Sequence, residues 1–201
     1  MKNECKVITG IVRFSYLFAL YPHTTGDDNQ TPRYSVSLVI PKDDEKTMNA
    51  IYAAINAAYV DGESKLKGKM KTVPPLETLK TPVRDGDTER PDDPVYSGCY
   101  FVNASNVLKP GIVDKYCKPI TDENEIYSGM YGRASIVFYA FNKSGNRGIA
   151  CSLNNLQKVR DGERLSGIAS AESDFSAFAE TPEPDFDSET GEILSDGNTP
   201  F

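Results

Sequence analysis

The sequence predicts a mainly β protein: a small antiparallel barrel with long loops and one main helix. Several runs of β-branched and aromatic residues are separated by turn signals, as expected for short strands. A single segment shows apolar residues at helical spacing. A turn signal between the last two apolar runs is typical of a β-hairpin. Strands of this number with one helix suit a small antiparallel barrel.

The first sixty residues predict two strands followed by the helix. Residues 6–20 are rich in β-branched and aromatic side chains and predict a strand that bends at Gly10. Residues 34–40 alternate and then run apolar, which predicts a second strand. The helix is predicted over residues 43–59, because an aspartate at its start can cap the first N–H groups and its apolar residues form one stripe.

The rest of the chain predicts a long loop and then three more strands. Residues 61–93 are polar and Pro-rich, and their four lysines between 65 and 71 are either a solvated run or phosphate contacts. Residues 95–100 and 126–131 share the pattern apolar-Tyr-Ser-Gly-x-Tyr, and each opens a strand. The second of these strands runs to Phe141, where a turn leads into a returning strand over residues 147–159.

The charge of the chain is asymmetric. Nine of the 29 acidic residues follow Ala171, and no Lys or Arg does. The chain has a net charge of −7, but residues 1–171 contain 20 acidic and 22 basic residues. The body can therefore present a basic face. We expect an ordered domain over 1–171 and a disordered tail over 172–201, whose apolar surface cannot offset an ordering entropy of about 1–2 kcal/mol per residue. Phe201 and the tail's inner aromatics favour partner docking over simple solubilisation.

The composition argues against most enzyme classes. The four cysteines form no Cys-x-x-Cys pair, and His23 is the only histidine, so a His-based metal site and His-dependent catalysis are not predicted. We expect no enzymatic activity, no cofactor and no metal. We also expect a soluble, cytoplasmic protein, since no run approaches the ~18 apolar residues of a membrane span. One rival is a metal-dependent nuclease using the four aspartates between residues 85 and 93, although their Pro and Gly neighbours favour turns.

One predicted strand combines aromatic and basic residues on a single face. Because side chains alternate along a strand, Tyr131, Arg133, Tyr139 and Phe141 share one side. Exposed rings beside arginine suit single-stranded nucleic acid, since bases stack on rings for about 1–3 kcal/mol each and cations meet the phosphates. In the opposite arrangement these rings lie in the core, and alternation alone leaves both arrangements open.

Several segments together resemble one known family. They are residues 127–133, 138–141, 148–150, Leu153, Asn155, 157–158 and 162–163, with 82–87 and 109–110 upstream. Over nearly all of residues 1–165 the chain resembles a family of bacteriophage single-stranded DNA-binding proteins. The resemblance implies an OB-fold barrel that coats single-stranded DNA without sequence preference during phage replication or recombination, in the cytoplasm of the bacterial host.

The tail has a resemblance of its own. Acidic and ending in Thr-Pro-Phe, it is similar to the ends of bacterial and phage single-strand binders, whose last aromatic docks on replication and repair partners. It lacks the run of consecutive aspartates of the bacterial pattern, so a host partner and a phage-encoded partner both stay open. The nine carboxylates also suggest a second role, in which the tail competes with DNA for the basic face until DNA displaces it.

We therefore expect single-stranded DNA as the partner, together with replication or recombination proteins that dock on Phe201, and no membrane. The candidates for base stacking are Tyr96, Tyr100, Tyr127, Tyr131, Tyr139 and Phe141. The candidates for phosphate contact are Arg33, Lys80, Arg84, Lys109, Arg133 and Arg147. A barrel with an exposed edge can also form a homo-oligomer. The alternative is a phage protein-interaction or virion component that binds no nucleic acid.

Overall fold

Eight strands in one sheet make up most of the computed structural model, which describes residues 3–24, 31–143 and 146–165. The strands are β1 Lys6–Ile8, β2 Val12–His23, β3 Arg33–Pro41, β4 Val83–Asp85, β5 Cys99–Asn106, β6 Gly111–Val113, β7 Tyr131–Lys143 and β8 Asn146–Arg160. The helices are α1 Glu45–Asp61, α2 Glu63–Lys67 and α3 Gly86–Glu89, with 3-10 turns at Asn3–Cys5, Leu76–Thr78 and Glu123–Glu125. The predicted tail and Phe201 lie outside the described residues.

The sheet has the order β4-β5-β3-β2-β7-β8-β6, with β1 beside β7. All pairs are antiparallel except β6 and β8. The sheet curls so that β5 and β8, which are not neighbours in this order, approach each other: Asn106 at the end of β5 donates to the carbonyl of Leu153 at 2.9 Å and to Ser152 Oγ at 3.1 Å, both on β8. No backbone ladder joins β5 to β8 in the described ranges, so side chains make this contact. The prediction of a mainly β protein with one main helix is confirmed.

The core lies between the curled sheet and α1. Asp44 caps this helix by accepting from the Thr47 N–H at 3.1 Å. Met48, Ile51 and Ile55 are buried along the predicted apolar stripe. The helix begins and ends two residues later than predicted. None of the helices in the described part of the chain is long and apolar enough to span a membrane.

The repeated Tyr-Ser-Gly pattern forms two tight turns. Gly98 has φ +64° and Gly129 has φ +116°, a left-handed backbone that glycine adopts without steric cost. The next strands begin just after these glycines, at Cys99 and Tyr131. Both repeats therefore open strands as predicted, but β5 starts four residues and β7 five residues after the first residue of its pattern, because the residues around each glycine form a turn.

The segment 61–93 contains more structure than a loop. Leu66 is buried, which anchors the short helix α2. Val83 pairs with Val102, so β4 extends the sheet beside β5. A polar, Pro-rich composition hides these elements, since each is only three to five residues long.

Strand β7 settles which face of the predicted aromatic strand is inward. Gly132, Ala134, Ile136, Phe138 and Ala140 are buried, while the odd positions are half-buried or exposed, Val137 excepted. The arrangement that would place Tyr139 and Phe141 in the core is therefore wrong, because Phe138 and its small and aliphatic neighbours fill that side.

Candidate nucleic-acid interface

A groove of about 320 Å³ runs across β2, β3 and β5. Its lining combines aromatic rings, arginines and small polar groups. The lining residues are Tyr16, Phe18 and His23 from β2, residues 33 and 35–37 from β3, residues 103–105 from β5, and Arg90 just after α3. The mixture of rings and cations on an open surface is the chemistry that a single-stranded nucleic acid requires.

A bulge in β2 turns the aromatic side chains into the groove. The pairing of β2 with β3 shifts register between Ser15 and Phe18, and Tyr16 has φ +45°. The Leu17 N–H leaves the ladder and donates to Ser128 Oγ at 2.9 Å. As a result Tyr16 is 52% exposed and Phe18 is 39% exposed. The Phe18 ring stacks on His23 with centroids 3.8 Å apart, so part of the aromatic surface is already ordered.

The guanidinium of Arg90 is held beside the Tyr16 ring. Its Nη1 donates to Tyr16 Oη at 3.1 Å, and its guanidinium carbon lies 5.0 Å from the Tyr16 ring centroid and 4.7 Å from that of Tyr96. The hydrogen bond to Tyr16 is the main cause of a raised pKa for Arg90. Asp93 lies 3.8 Å away as a weak ion-pair partner. The guanidinium therefore remains charged and held in place at the edge of the groove.

A charged network anchors the segment that presents Arg90. Lys42 Nζ lies 2.8 Å from Asp85 Oδ1 and 2.8 Å from Asp87 Oδ2, and Asp87 also accepts from the Gly98 N–H at 2.8 Å. The hydrogen bonds to these aspartates raise the pKa of Lys42. The same bond from Lys42, followed by the Gly98 N–H, lowers the pKa of Asp87. Asp87 belongs to α3, which ends next to Arg90, so the network ties this helix to Lys42 after β3 and to Gly98 before β5.

Three of the four aspartates that the nuclease alternative requires are engaged in contacts within the protein. Asp85 and Asp87 bind an ammonium group, and Asp93 accepts from the Val95 N–H at 3.1 Å. Within the described ranges, no group of three or more His, Cys, Asp or Glu side chains is placed to hold a metal ion. These aspartates act as turn and network residues in the structure.

Arg33 is the one sequence-predicted candidate that lines the groove. Its Nε donates to Ser105 Oγ at 3.0 Å and its Nη2 to the Ser105 carbonyl at 3.4 Å, which ties the side chain to β5. Arg33 and Arg90 thus supply two positioned cations to one groove.

The structure buries Tyr96, which leaves this predicted stacking residue no free ring face. It packs edge-on against Phe101 with centroids 5.0 Å apart, and its hydroxyl donates to Ser37 Oγ at 3.3 Å. Tyr100 is half-buried, with Lys42 Nζ 5.1 Å from its ring centroid. The first Tyr-Ser-Gly turn therefore contributes Tyr96 to the core, and Tyr100 at the start of β5 is partly covered.

Tyr127 and Tyr131 lie near the start of β7, where a different arginine covers each ring. The guanidinium carbon of Arg160 lies 3.6 Å from the Tyr131 centroid, and that of Arg164 lies 4.0 Å from the Tyr127 centroid. The Tyr127 hydroxyl donates to Asp161 at 2.8 Å, and burial, followed by this bond, raises its pKa. These tyrosines are engaged within the chain.

The other candidates are spread over the molecule. Tyr139 and Phe141 pair with Ala150 and Gly148 in the outer half of the β7–β8 hairpin, and Arg133 pairs with Gln157 further along. Arg147 donates to the Leu66 carbonyl at 3.0 Å, the Lys80 carbonyl accepts from the Ile149 N–H at 2.8 Å, and Arg84 pairs with Glu89 at 3.1 Å. Lys109 is exposed beyond β5. The predicted residues therefore do not form one surface.

The groove residues that sequence reasoning missed are Tyr16, Phe18, His23 and Arg90. Alternation gives no usable signal for Tyr16 and Phe18, because it places both rings on the side of the buried Phe14, and only the bulge turns them outward. No local signal brings Arg90 to them, since this contact spans 74 positions of the chain.

Comparison with known proteins identifies the family. The chain matches, over residues 5–186, the family model of the single-stranded DNA-binding protein of Enterobacter phage Enc34. The protein belongs to this family. The family resemblance read from the sequence is thereby confirmed.

Relatives of the Enc34 family share the fold across most of the chain. The Enc34 protein in complex with single-stranded DNA is similar with a TM-score of 0.65 and 24% identity, over 82% of this chain and 91% of that one. The gp2.5 single-stranded DNA-binding protein of bacteriophage T7 is similar with a TM-score of 0.57 and 15% identity, over 82% and 97%. These likenesses confirm the fold class.

A curated relative matches part of the chain more closely in sequence. It is a putative protein, p50, of Acyrthosiphon pisum secondary endosymbiont phage 1, 36% identical over 93 residues. The match covers 45% of this chain and 49% of that protein, so the chain spans about half the length of this relative.

Proposed function

We propose that this protein binds single-stranded DNA in the groove between β2, β3 and β5. Bases stack on Tyr16 and Phe18, and Arg33 and Arg90 pair with phosphates. The observation behind this proposal is the pair of half-exposed rings that share one groove with two positioned arginines. Membership of the Enc34 family supports it. We also propose that the curled sheet is the OB-fold barrel that the family resemblance implies.

The chemistry of the groove favours a single strand over a duplex, and it does not select a particular base sequence. Every base has an aromatic face, so a ring accepts any base, at about 1–3 kcal/mol per stack. A duplex keeps these faces inside its own stack. The cations contact the backbone, which is the same at each nucleotide. We therefore propose sequence-independent binding with no reaction catalysed.

We propose that the other residues predicted from the sequence, Tyr96 excepted, contact DNA outside the groove. Tyr139 is the most exposed ring among them, and Lys80 and Lys109 are exposed cations. Tyr127 and Tyr131 would have to exchange their stacked arginines for bases. Tyr96 is not retained, because its ring is buried.

The first experiment is fluorescence anisotropy of a labelled poly-dT oligonucleotide with the full-length protein over a salt series, with a duplex of equal length as control. We expect binding to the single strand, little to the duplex, and a log–log salt slope of about −0.7 per phosphate neutralised. The double variant Tyr16→Ala/Phe18→Ala should lose most of this binding. Tyr52→Ala, which removes an exposed ring from α1, is the matched control.

The outcomes separate the candidate functions. If the wild-type protein binds no oligonucleotide, the nucleic-acid function is wrong and a protein-interaction or virion role replaces it. If the protein binds but the double variant binds equally well, DNA uses a different surface. Adding Mg²⁺ tests the nuclease alternative, since an enzyme would degrade the oligonucleotide and a binder would leave it intact.

We propose further that the protein acts in phage DNA replication or recombination in the host cytoplasm, and that its acidic tail docks partners and competes with DNA. The tail, residues 172–201, is outside the described residues, and its nine carboxylates are the basis of this proposal. A full-length variant with these carboxylates changed to amides should bind DNA more tightly. The gain should be largest at low salt, because charges are screened over about 10 Å at 0.1 M. Unchanged affinity would contradict the competition.

A further inference from the structure

The turn over residues 114–118, which follows β6, holds an exposed tyrosine between two lysines. Tyr116 is 70% exposed, the largest such fraction among the aromatic side chains described. Lys115 and Lys118 are exposed on either side of it. Neither ammonium has a carboxylate partner within the described part of the chain. Lys115 Nζ lies 5.1 Å from the Tyr116 ring centroid, so an exposed ring and two exposed cations stand together here, as rings and cations do in the groove.

The turn is held by several hydrogen bonds although it lies at the surface. Asp114 Oδ1 accepts from the N–H groups of Tyr116 and Lys118, each at 2.8 Å, and the Asp114 N–H donates to the Lys118 carbonyl at 2.9 Å. Gln157 of β8 donates to the Asp114 carbonyl at 3.3 Å. Cys117 has φ +63°, which a side chain disfavours. An unfavourable backbone persists where its surroundings determine it, and such sites concentrate at functional positions.

The base of this turn lies close to the groove. Leu20 follows Phe18 by two residues on β2, about 7 Å along a strand. Leu20 lines a hollow with Lys109, Ile112 and Ile120. The last two flank the turn and are joined by the Ile120 N–H bond to the Ile112 carbonyl at 3.1 Å. This hollow, which Glu123 also lines, therefore joins β2, two residues beyond Phe18, to Lys109 and to the residues on either side of the turn.

We propose that the 114–118 turn is a second contact for single-stranded DNA, in which Tyr116 stacks on a base and Lys115 and Lys118 meet the flanking phosphates. This inference rests on the proposed function and extends it, because it lengthens the path of the strand beyond the groove. The ligand chemistry is that of a polyanion with unpaired bases.

Oligonucleotide length tests the proposal in the full-length protein. An oligonucleotide of about 4 nucleotides is at the lower limit of what a single OB fold contacts, and one of about 20 exceeds the upper limit. Tyr116→Ala should weaken binding of the long oligonucleotide by about 5-fold or more, the lower end of one lost stack, and leave the short one unchanged. Tyr52→Ala should leave both unchanged.

A second readout does not depend on affinity. The chain contains no tryptophan, so Tyr116→Trp supplies a single indole fluorophore. We expect the long oligonucleotide to quench it and the short one to leave it unchanged, while Tyr52→Trp on α1 responds to neither.

The results distinguish this inference from the proposed function. If the wild-type protein binds neither oligonucleotide, the proposed function fails and the second contact with it. If the wild type binds, and Tyr116→Ala matches it at both lengths with an unquenched Tyr116→Trp, the second contact alone is wrong. Equal weakening at both lengths would also overturn it, because Tyr116 would then belong to the first contact.

Discussion

Tyr16 combines a proposed contact with an unfavourable backbone, and two substitutions separate these properties. Tyr16→Ala and Tyr16→Gly both remove the ring from the groove. Only glycine also relieves the φ of +45°. The two variants should therefore lose DNA affinity equally and differ in thermal stability.

The sizes of both effects follow from the local structure. One lost stack of about 1–3 kcal/mol weakens DNA binding by about 5- to 150-fold. A left-handed conformation costs an L-residue about 1–2 kcal/mol. Glycine has a more flexible unfolded state, which costs about 0.4–1 kcal/mol relative to alanine. Tyr16→Gly should then be more stable than Tyr16→Ala by about 0.5–1 kcal/mol, or about 1–4 °C in Tm for a chain of this size.

The same pair of substitutions at Tyr52 provides a control with the opposite sign. Tyr52 is an exposed position inside α1, where glycine is about 1 kcal/mol less stable than alanine. Thermal unfolding followed by circular dichroism measures all four variants, and anisotropy with poly-dT measures their affinity. If Tyr16→Gly melts below Tyr16→Ala, as at Tyr52, the bulge is not strained. If only one of the Tyr16 variants loses affinity, the ring is not the contact.

Three further predictions concern the residues around the groove. Arg90→Ala should reduce the salt slope of DNA binding by about 0.7 while Arg90→Lys preserves it, and equal slopes would exclude a phosphate contact. Tyr96→Phe should lower stability by about 0.5–1.5 kcal/mol, by loss of the bond to Ser37, and leave DNA affinity unchanged in anisotropy; weaker binding would contradict its burial. Asp87 has a lowered pKa, so its contribution to stability is present above its usual pKa of 3.8 and is lost as the pH falls. The Tm difference between wild type and Asp87→Asn should therefore shrink between pH 7 and pH 3, and a constant difference would refute this reasoning.

The fold was largely predictable because its signals are local. The apolar stripe of α1 and the alternation in β7 each follow from the spacing of residues within one segment. The glycines of the two Tyr-Ser-Gly turns mark the starts of β5 and β7. The short elements α2, β4 and α3 could not be predicted in this way, because they depend on tertiary partners, as Val83 depends on Val102 for its pairing.

The groove was harder to predict because it is assembled from distant segments. Alternation shows which side chains share a face of one strand, but it does not show which strands become neighbours. Arg33 was selected only as a cation, and its tie to Ser105 appears only once β3 and β5 pair. The aromatic and basic residues of β7 had the right composition, yet Arg160 already covers Tyr131. A composition that suits a nucleic acid also suits contacts within the protein.

The segments by which the sequence resembles its family mainly maintain the framework. In residues 82–87, two aspartates hold Lys42 and so position the segment that ends at Arg90. In residues 127–133 and 162–163, the Gly162 N–H donates to the Tyr127 hydroxyl and closes the end of the sheet. Such contacts demand particular residues at particular positions. Stacking demands only an exposed ring, and phosphate pairing only a cation, so the groove can be built from residues that no short motif identifies.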